Sequence, residues 1–314
     1  MNRIPGRGGA PASAPDRSLL GVALHALGAT VSWSAGLGAV ESLRPRLERT
    51  NFHGRAVSLR GGLGAAAGAV AAGSRAGHLL RDPAGRGSRR VTMAALVATT
   101  AAGAAGLADD LDAGAHDGGT PAKGLAGHLG ALARGRVTTG VLKIAVIGSG
   151  ALVSGVLLAR CRGPVSGGRG PVPTAVDAVT SAVTIAAWAN VHTQRDLRPG
   201  RALKTAALLS GCLLADRREG TEAARTLAAG ALGVAVAALP EDLMEDTMLG
   251  DTGANAVGAL VGTALAAHPS RAVRALAALA GTALVLAGER VSFTRVIART
   301  PVLAALDGLG RRPS

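Results

Sequence analysis

Long runs without charge recur along this chain, and they constrain its fold more than any single motif does. Uncharged or nearly uncharged stretches occupy residues 19–40, 61–80, 91–108, 141–159, 172–191, 202–215, 223–240, 252–268 and 271–288. Each is close to the ~20 residues with which a helix crosses the hydrocarbon core of a bilayer. A soluble alternative has little to build with, because Tyr is absent and Trp33, Trp188, Phe52 and Phe293 are the only aromatics in 314 residues. A water-soluble core of that size would lack its usual large fillers. Mean hydropathy is +0.32, with 48% hydrophobic and 17% charged residues, as expected where apolar segments alternate with short basic loops. The expected fold is therefore all-α: a polytopic membrane helix bundle of about nine transmembrane helices. A tail over 1–18 precedes a single membrane-embedded domain over 19–314, and the protein is expected in the cell membrane as a multi-pass protein. The weakest members are 202–215, which is short, and 61–80, which contains Arg75 and His78.

A net charge of +14 raises the question of nucleic acid, whose phosphates attract Lys and Arg patches. The cations are instead scattered over many short loops, and no aromatic set for base stacking accompanies them. No nucleic-acid partner is expected; basic loops beside membrane lipids explain the charge better. Cys161 and Cys212 stand alone, without the spacing of a disulfide framework or a zinc site. Arg3, Arg7 and Arg17 before an apolar run from Leu19 resemble a secretory signal, but the run is long for a cleavable one. It reads as the first span.

The acids are not scattered. Of 20 Asp and Glu, nine lie in two short stretches, Asp109–Asp117 and Glu241–Asp251. With nine spans, the connections 41–60, 109–140, 192–201 and 241–251 and the tail from Glu289 all fall on one membrane face. Asp109 and Asp110 end the third span, where a divalent cation would neutralise an otherwise costly pair; a solvated loop start is the plainer alternative. Gly250-Asp251-Thr252-Gly253-Ala254-Asn255 opens the eighth span and sets a carboxylate and amides at a helix N-terminus, which suits phosphate or metal-phosphate. Capping by Asp251 or Thr252 is the alternative. Asn190 closes the fifth span, and Asp196 through Lys204 combine a carboxylate with Arg198, Arg201 and Lys204, cations able to bracket a diphosphate or to anchor lipid headgroups. Lys143, near the start of the fourth span, needs a partner or must snorkel to the interface. His116 and His128 lack a second His at ligand spacing and are not metal candidates.

Taken in order, these residues resemble a known family. Asp109-Asp110 after a span, Lys123-Gly124-Leu125-Ala126-Gly127-His128, Asn190 six before Asp196, and Gly250 through Asn255 are similar to the polyprenyl-phosphate N-acetylhexosamine-1-phosphate transferases. This is glycosyltransferase family 4, which includes phospho-N-acetylmuramoyl-pentapeptide transferase. Asn51-x-x-Gly54-x-x-Val57 before Gly61-Gly62 resembles the family's first cytoplasmic segment, so the likeness covers roughly 45–300. The run Leu197–Arg201 and the ending Glu289-Arg290-Val291-Ser292-Phe293 look like a shorter branch found in Gram-positive bacteria.

The resemblance implies Mg²⁺-dependent transfer of a sugar 1-phosphate from a UDP-sugar to a polyprenyl phosphate in cell-envelope glycan synthesis, with release of UMP. It assigns catalysis to Asp109, Asp110 and Asp251, with Asp251 and Asp110 on the metal. Substrate binding falls to Lys123, Asn190, Asp196, Arg198, Arg201 and Asn255. Thr193 stands where the family carries a second Asn, and the late His cluster of the larger enzymes is replaced by Arg290, Arg295 and Arg299 alone. The alternative reading is an inactive family member that serves as a membrane partner or lipid-carrier binding subunit. The reading also leaves room for a homodimer.

Overall fold

The computed structural model describes residues 14–51, 53–80, 82–112, 124–135, 138–162 and 171–312. Lys123 and His116 lie outside them. Among the described residues the chain is mostly helical, with thirteen α-helices and one small hairpin. In order these are α1 (Ala14–Gly38), α2 (Arg44–Leu47), β1 (Glu48–Thr50), β2 (Ala56–Ser58), α3 (Arg60–Ser74), α4 (Arg86–Asp112) and α5 (Gly124–Ala133). There follow α6 (Thr139–Cys161), α7 (Pro171–Arg195), α8 (Arg201–Ala215), α9 (Glu222–Leu243), α10 (Gly250–Ala266), α11 (Arg271–Gly288), α12 (Phe293–Arg299) and α13 (Pro301–Gly308).

Nine of these helices, α1, α3, α4 and α6 to α11, coincide with the nine expected stretches. Five are long and apolar enough to cross a membrane: residues 18–38 of α1, then α4, α6, α9 and α11. The other four fall short for separate reasons. Helices α3 and α8 have 15 residues each and α10 has 17, shorter than the ~20 residues of a typical span. Helix α7 has 25 residues but carries Asp177, Asn190, His192 and a series of hydroxyls. The five span-like helices turn apolar side chains outward, as with Leu276 and Leu279 on α11, 65% and 68% exposed. A soluble domain would bury such residues; a bilayer-facing surface need not.

Helix α10 is the axis of the bundle. All but Asp251 of its seventeen residues are buried, and α3, α4, α7 and α9 pack around it. Small residues make this possible, because without bulky side chains the backbones approach closely. Gly106 of α4 lies so near the Asp251 carbonyl that a Cβ there would collide with it, and Gly62 of α3 lies as near the Leu249 carbonyl. These two contacts fix the N-terminus of α10 against α3 and α4.

Successive long helices run antiparallel, so their connections gather at two ends. At one end β1 and β2 pair antiparallel, Arg49 opposite Val57, and Ser58 forms a parallel bridge to Thr247. This hairpin is the one departure from all-α structure among the described residues. Arg49 donates to the Asp110 carbonyl (2.6 Å), and Arg311 donates to the Pro199 carbonyl (2.8 Å). Segments 41–60, 109–112, 192–201, 241–251 and the C-terminal stretch thus share one end, here the motif end. At the far end, Asp177 pairs with Arg274 (3.0 Å) and Asp216 with His268 (2.9 Å).

Candidate functional site

Two of the three acids that end helix α4, Asp109 and Asp110, do different work. Asp110 turns toward the start of α10, where its carboxylate accepts the N–H groups of Asp251 (2.9 Å) and Thr252 (2.8 Å) and the Thr252 hydroxyl (2.6 Å). A helix N-terminus has unpaired N–H groups and positive dipole character, so Asp110 acts as a cap supplied by another helix. The amides that the sequence offers to a phosphate are, in this arrangement, taken by a carboxylate. Asp110 has three donors on its two oxygens, which leaves Asp109 as the α4 carboxylate turned toward the cleft.

Asp109 and Asp251 converge on one cation. The Lys143 ammonium, on the second turn of α6, lies 3.2 Å from Asp109 and 2.7 Å from Asp251. Its side chain is 15% exposed, so burial strengthens the attraction while making either charge costly alone. The sequence marks Lys143 as needing a partner; only the packing of α4, α6 and α10 supplies two.

Asn255, one turn into α10, donates to the Asp251 carbonyl (2.7 Å) and accepts from the Thr193 hydroxyl (2.7 Å). Thr193 thus reaches Asn255 directly, and the hydroxyl supplies the donor locally. Asn190, one turn earlier on α7, is exposed and lines a cleft of about 640 Å³ with Asp109, Lys143, Thr193 and Gln194. Ile144, Ile147, Val183, Val285 and Leu286 also line it. His128 lies at its rim, bonded through Nδ1 to the Thr138 hydroxyl (2.9 Å). The cleft therefore joins carboxylates and an ammonium to aliphatic walls, a form suited to a ligand with an anionic head and an apolar chain.

A second cavity, also about 640 Å³, is lined by Asn51, Asp196, Arg198, Asp242, Glu245 and Thr294 among others. Asp196 sits in the turn after α7, and burial, reinforced by Asp242, Asp251 and Asp110, pushes its carboxyl well above the usual range. Arg198 approaches His53 (3.4 Å). Glu245 accepts from Asn51, His53 and Arg55. Burial opposes its ionisation, but the bonds from His53 and Asn51 outweigh this and hold its pKa below the usual value. Its φ of 60° is uncommon for a side chain of this size. Asn51 also accepts the N–H groups of His53 (2.9 Å) and Arg55 (3.0 Å), which is why an Asn stands at this turn.

Arg201 does not line either cavity among the described residues. Its guanidinium grips Asp307 through two parallel bonds (2.8 and 2.9 Å) and donates to the Thr294 hydroxyl (3.1 Å); it is 5% exposed. The cation that the sequence offers to a diphosphate thus holds the C-terminal helix. Sequence reasoning also missed Glu245 and Asp242 as members of the cluster, although both lie in the acid-rich stretch that it singled out.

Among the described residues no group of three or more His, Cys, Asp or Glu side chains is arranged to hold a metal ion. Two carboxylates converge, however, and Mg²⁺ commonly takes one or two together with phosphate oxygens. The oxygen donors of Asp109 and Asp251, already sharing a cation, fit that requirement. Comparison with protein-family models, with curated proteins and with solved structures found no match to this chain.

Proposed function

We propose that this protein transfers a sugar 1-phosphate from a UDP-sugar to a polyprenyl phosphate at the cytoplasmic face of the cell membrane. In this reading α1, α3, α4 and α6 to α11 are nine spans of one domain, and the motif end faces the cytoplasm. The observation that carries it is the meeting of Asp109, Asp251 and Lys143 at the head of an aliphatic cleft. An amphipathic phosphate entering the cleft brings its charge to Lys143 and Asn190 and leaves its chain between α6, α7 and α11. Asp196, Arg198 and Asn51 line the second cavity, in which the nucleotide and sugar are proposed to sit.

Two anions must approach in this reaction, so the residues' task is positioning and charge compensation. Lys143 draws in the lipid phosphate, and Asp110 holds the α10 N-terminus so that Asp251 keeps its place. Asn255 and Thr193 fix the backbone behind Asp251. A phosphate oxygen of the lipid forms a new bond to the sugar-bearing phosphorus as the bond to UMP breaks, and UMP leaves. Mg²⁺ held by Asp109 and Asp251 would neutralise the diphosphate and the leaving phosphate. Asp110, already committed to amide donors, takes a positioning role instead of the metal role implied by the resemblance.

Purified protein incubated with Mg²⁺, undecaprenyl phosphate and a panel of UDP-sugars should release UMP. A second reading, a lipid-carrier binding subunit without catalysis, is favoured by one feature: Lys143 already neutralises both carboxylates. Binding of undecaprenyl phosphate without UMP from any donor would select it.

A further inference from the structure

The C-terminal segment α12 and α13 belongs to the motif end but supplies no reacting or metal-binding group to the proposed transfer. Helix α13 has two unlike sides. On its inner side Asp307 is held by Arg201 and by Arg311 (2.8 Å), and Lys204 donates to the carbonyls of Leu306, Asp307 and Leu309 (3.2, 2.8 and 2.7 Å). The helix is thereby pinned to the start of α8. On its outer side Val302 and Leu306 follow the i, i+4 spacing of one helical face, with Leu309 just past the helix end, and the three are 69%, 58% and 68% exposed.

Eight residues rise only about 12 Å, so α13 cannot cross a bilayer, and an apolar face at the end where the acids gather needs a cover. The charges around it indicate which. Arg295, Arg299 and Arg312 are exposed, whereas the acids from 289 to 314 are Glu289 and Asp307 alone, and Asp307 is committed to Arg201 and Arg311. Apolar side chains flanked by guanidinium groups, on a segment continuous with the span-like helix α11, match the boundary between acyl chains and anionic headgroups.

We propose that the outer face of α13, with Arg295, Arg299 and Arg312, docks on the anionic headgroup layer of the bilayer that the bundle crosses. The inference rests on the membrane-spanning reading and is independent of the transfer reaction. It has a structural consequence. Ser292 and Thr294 line the cavity that holds Asp196 and Asn51, and Thr294 accepts from Arg201. The docked segment therefore fixes one wall of that cavity.

The test uses the full-length protein with Cys161→Ala, Cys212→Ala and Ala305→Cys, the last carrying an environment-sensitive dye on the exposed outer side without removing Val302, Leu306 or Leu309. Nanodiscs of phosphatidylcholine are compared with nanodiscs containing phosphatidylglycerol, using a nitroxide near the lipid headgroup and aqueous iodide as quenchers. The same dye at Leu208, an exposed residue on α8, reports whether each sample is inserted. Nitroxide quenching at 305 should dominate in the anionic discs. It should fall at least about twofold with Arg295→Gln, Arg299→Gln and Arg312→Gln together, or in about 0.5 M salt. Iodide access at 305 equal to that of free dye in both discs overturns the proposal, as does lipid quenching that is the same in both compositions. Protection found only in discs holding two copies would assign the face to a second copy of the chain and overturn it as well.

Discussion

Asp196 and Asp216 are the same residue type in connections at opposite ends of the bundle, and their environments push them in opposite directions. Arg218, then His268, hold Asp216 well below the usual carboxylate range. Burial, then Asp242, Asp251 and Asp110, raise Asp196. The far end matches its acids with partners: Asp177 with Arg274, and Asp82 with the amides of Gly87 and Ser88. The motif end carries Asp109, Asp110, Asp196, Asp242, Glu245 and Asp251 around a few cations. An end that only had to face water or headgroups would gain nothing from that crowding, since like charges in proximity destabilise the folded state. A site that has to hold cations and phosphates needs it. In the proposed function, the contrast places stability at one end and chemistry at the other.

The sharpest way to break that contrast is to exchange its consequences. Asp251→Asn keeps the shape of the side chain and removes a charge. UMP release should fall at least about a hundredfold, while the melting temperature stays within a few degrees. Arg274→Ala, at the far end, should do the reverse. It removes a guanidinium that is 2% exposed and pairs with Asp177, at a cost of about 3 kcal/mol, while turnover per folded molecule is kept. If Asp251→Asn unfolds the protein and Arg274→Ala abolishes turnover without loss of stability, the division of labour is wrong.

A smaller effect separates the two ends by pH. A carboxyl whose pKa is raised on folding contributes stability below its unfolded pKa and loses it as pH rises through the folded one. One whose pKa is lowered contributes above its unfolded pKa and loses stability as pH falls. Asp196→Asn should therefore gain melting temperature relative to wild type as pH increases. Asp216→Asn should lose relative to wild type as pH increases from strongly acidic to neutral. Thermal scans of the three proteins across pH check both signs, and parallel curves for the two variants would remove the distinction.

The smallest effect concerns Thr193. Thr193→Val deletes the hydroxyl that donates to Asn255, a loss of about 1 kcal/mol, so UMP release should fall about fivefold. The matched change at the far end is Thr226→Val, whose hydroxyl only returns to the Glu222 carbonyl of its own helix (2.7 Å). It should leave turnover unchanged. Equal effects of the two would show that Thr193 is ordinary helix packing.

The particular residues show what was legible in advance. Asp109, Asp110 and Asp251 can be found as acids at helix ends, because a carboxylate beside an apolar run is unusual in any sequence. Their roles cannot be found that way. Whether Asp109 or Asp110 faces the cleft depends on the rotation of α4, which Gly106 sets by its approach to the Asp251 carbonyl. Arg201 reads as a phosphate ligand until Asp307, 106 positions later, is known to reach it. The small hairpin escaped notice because β1 and β2 have three residues each, too few for alternation to register.

By itself the sequence determined the helical class, the nine helical segments and the end at which the acids gather. These follow from composition and local order: apolar runs with charge at their ends form helices, and antiparallel succession puts alternate connections together. Tertiary structure alone decided which carboxylate caps α10, that Lys143 lies between Asp109 and Asp251, that Thr193 reaches Asn255, and that Arg201 is committed to the C-terminal helix. Each of those outcomes depends on the depth and rotation at which two Gly- and Ala-rich helices meet. Such helices carry few large side chains to announce their registry, so it is fixed only when every neighbour is in place.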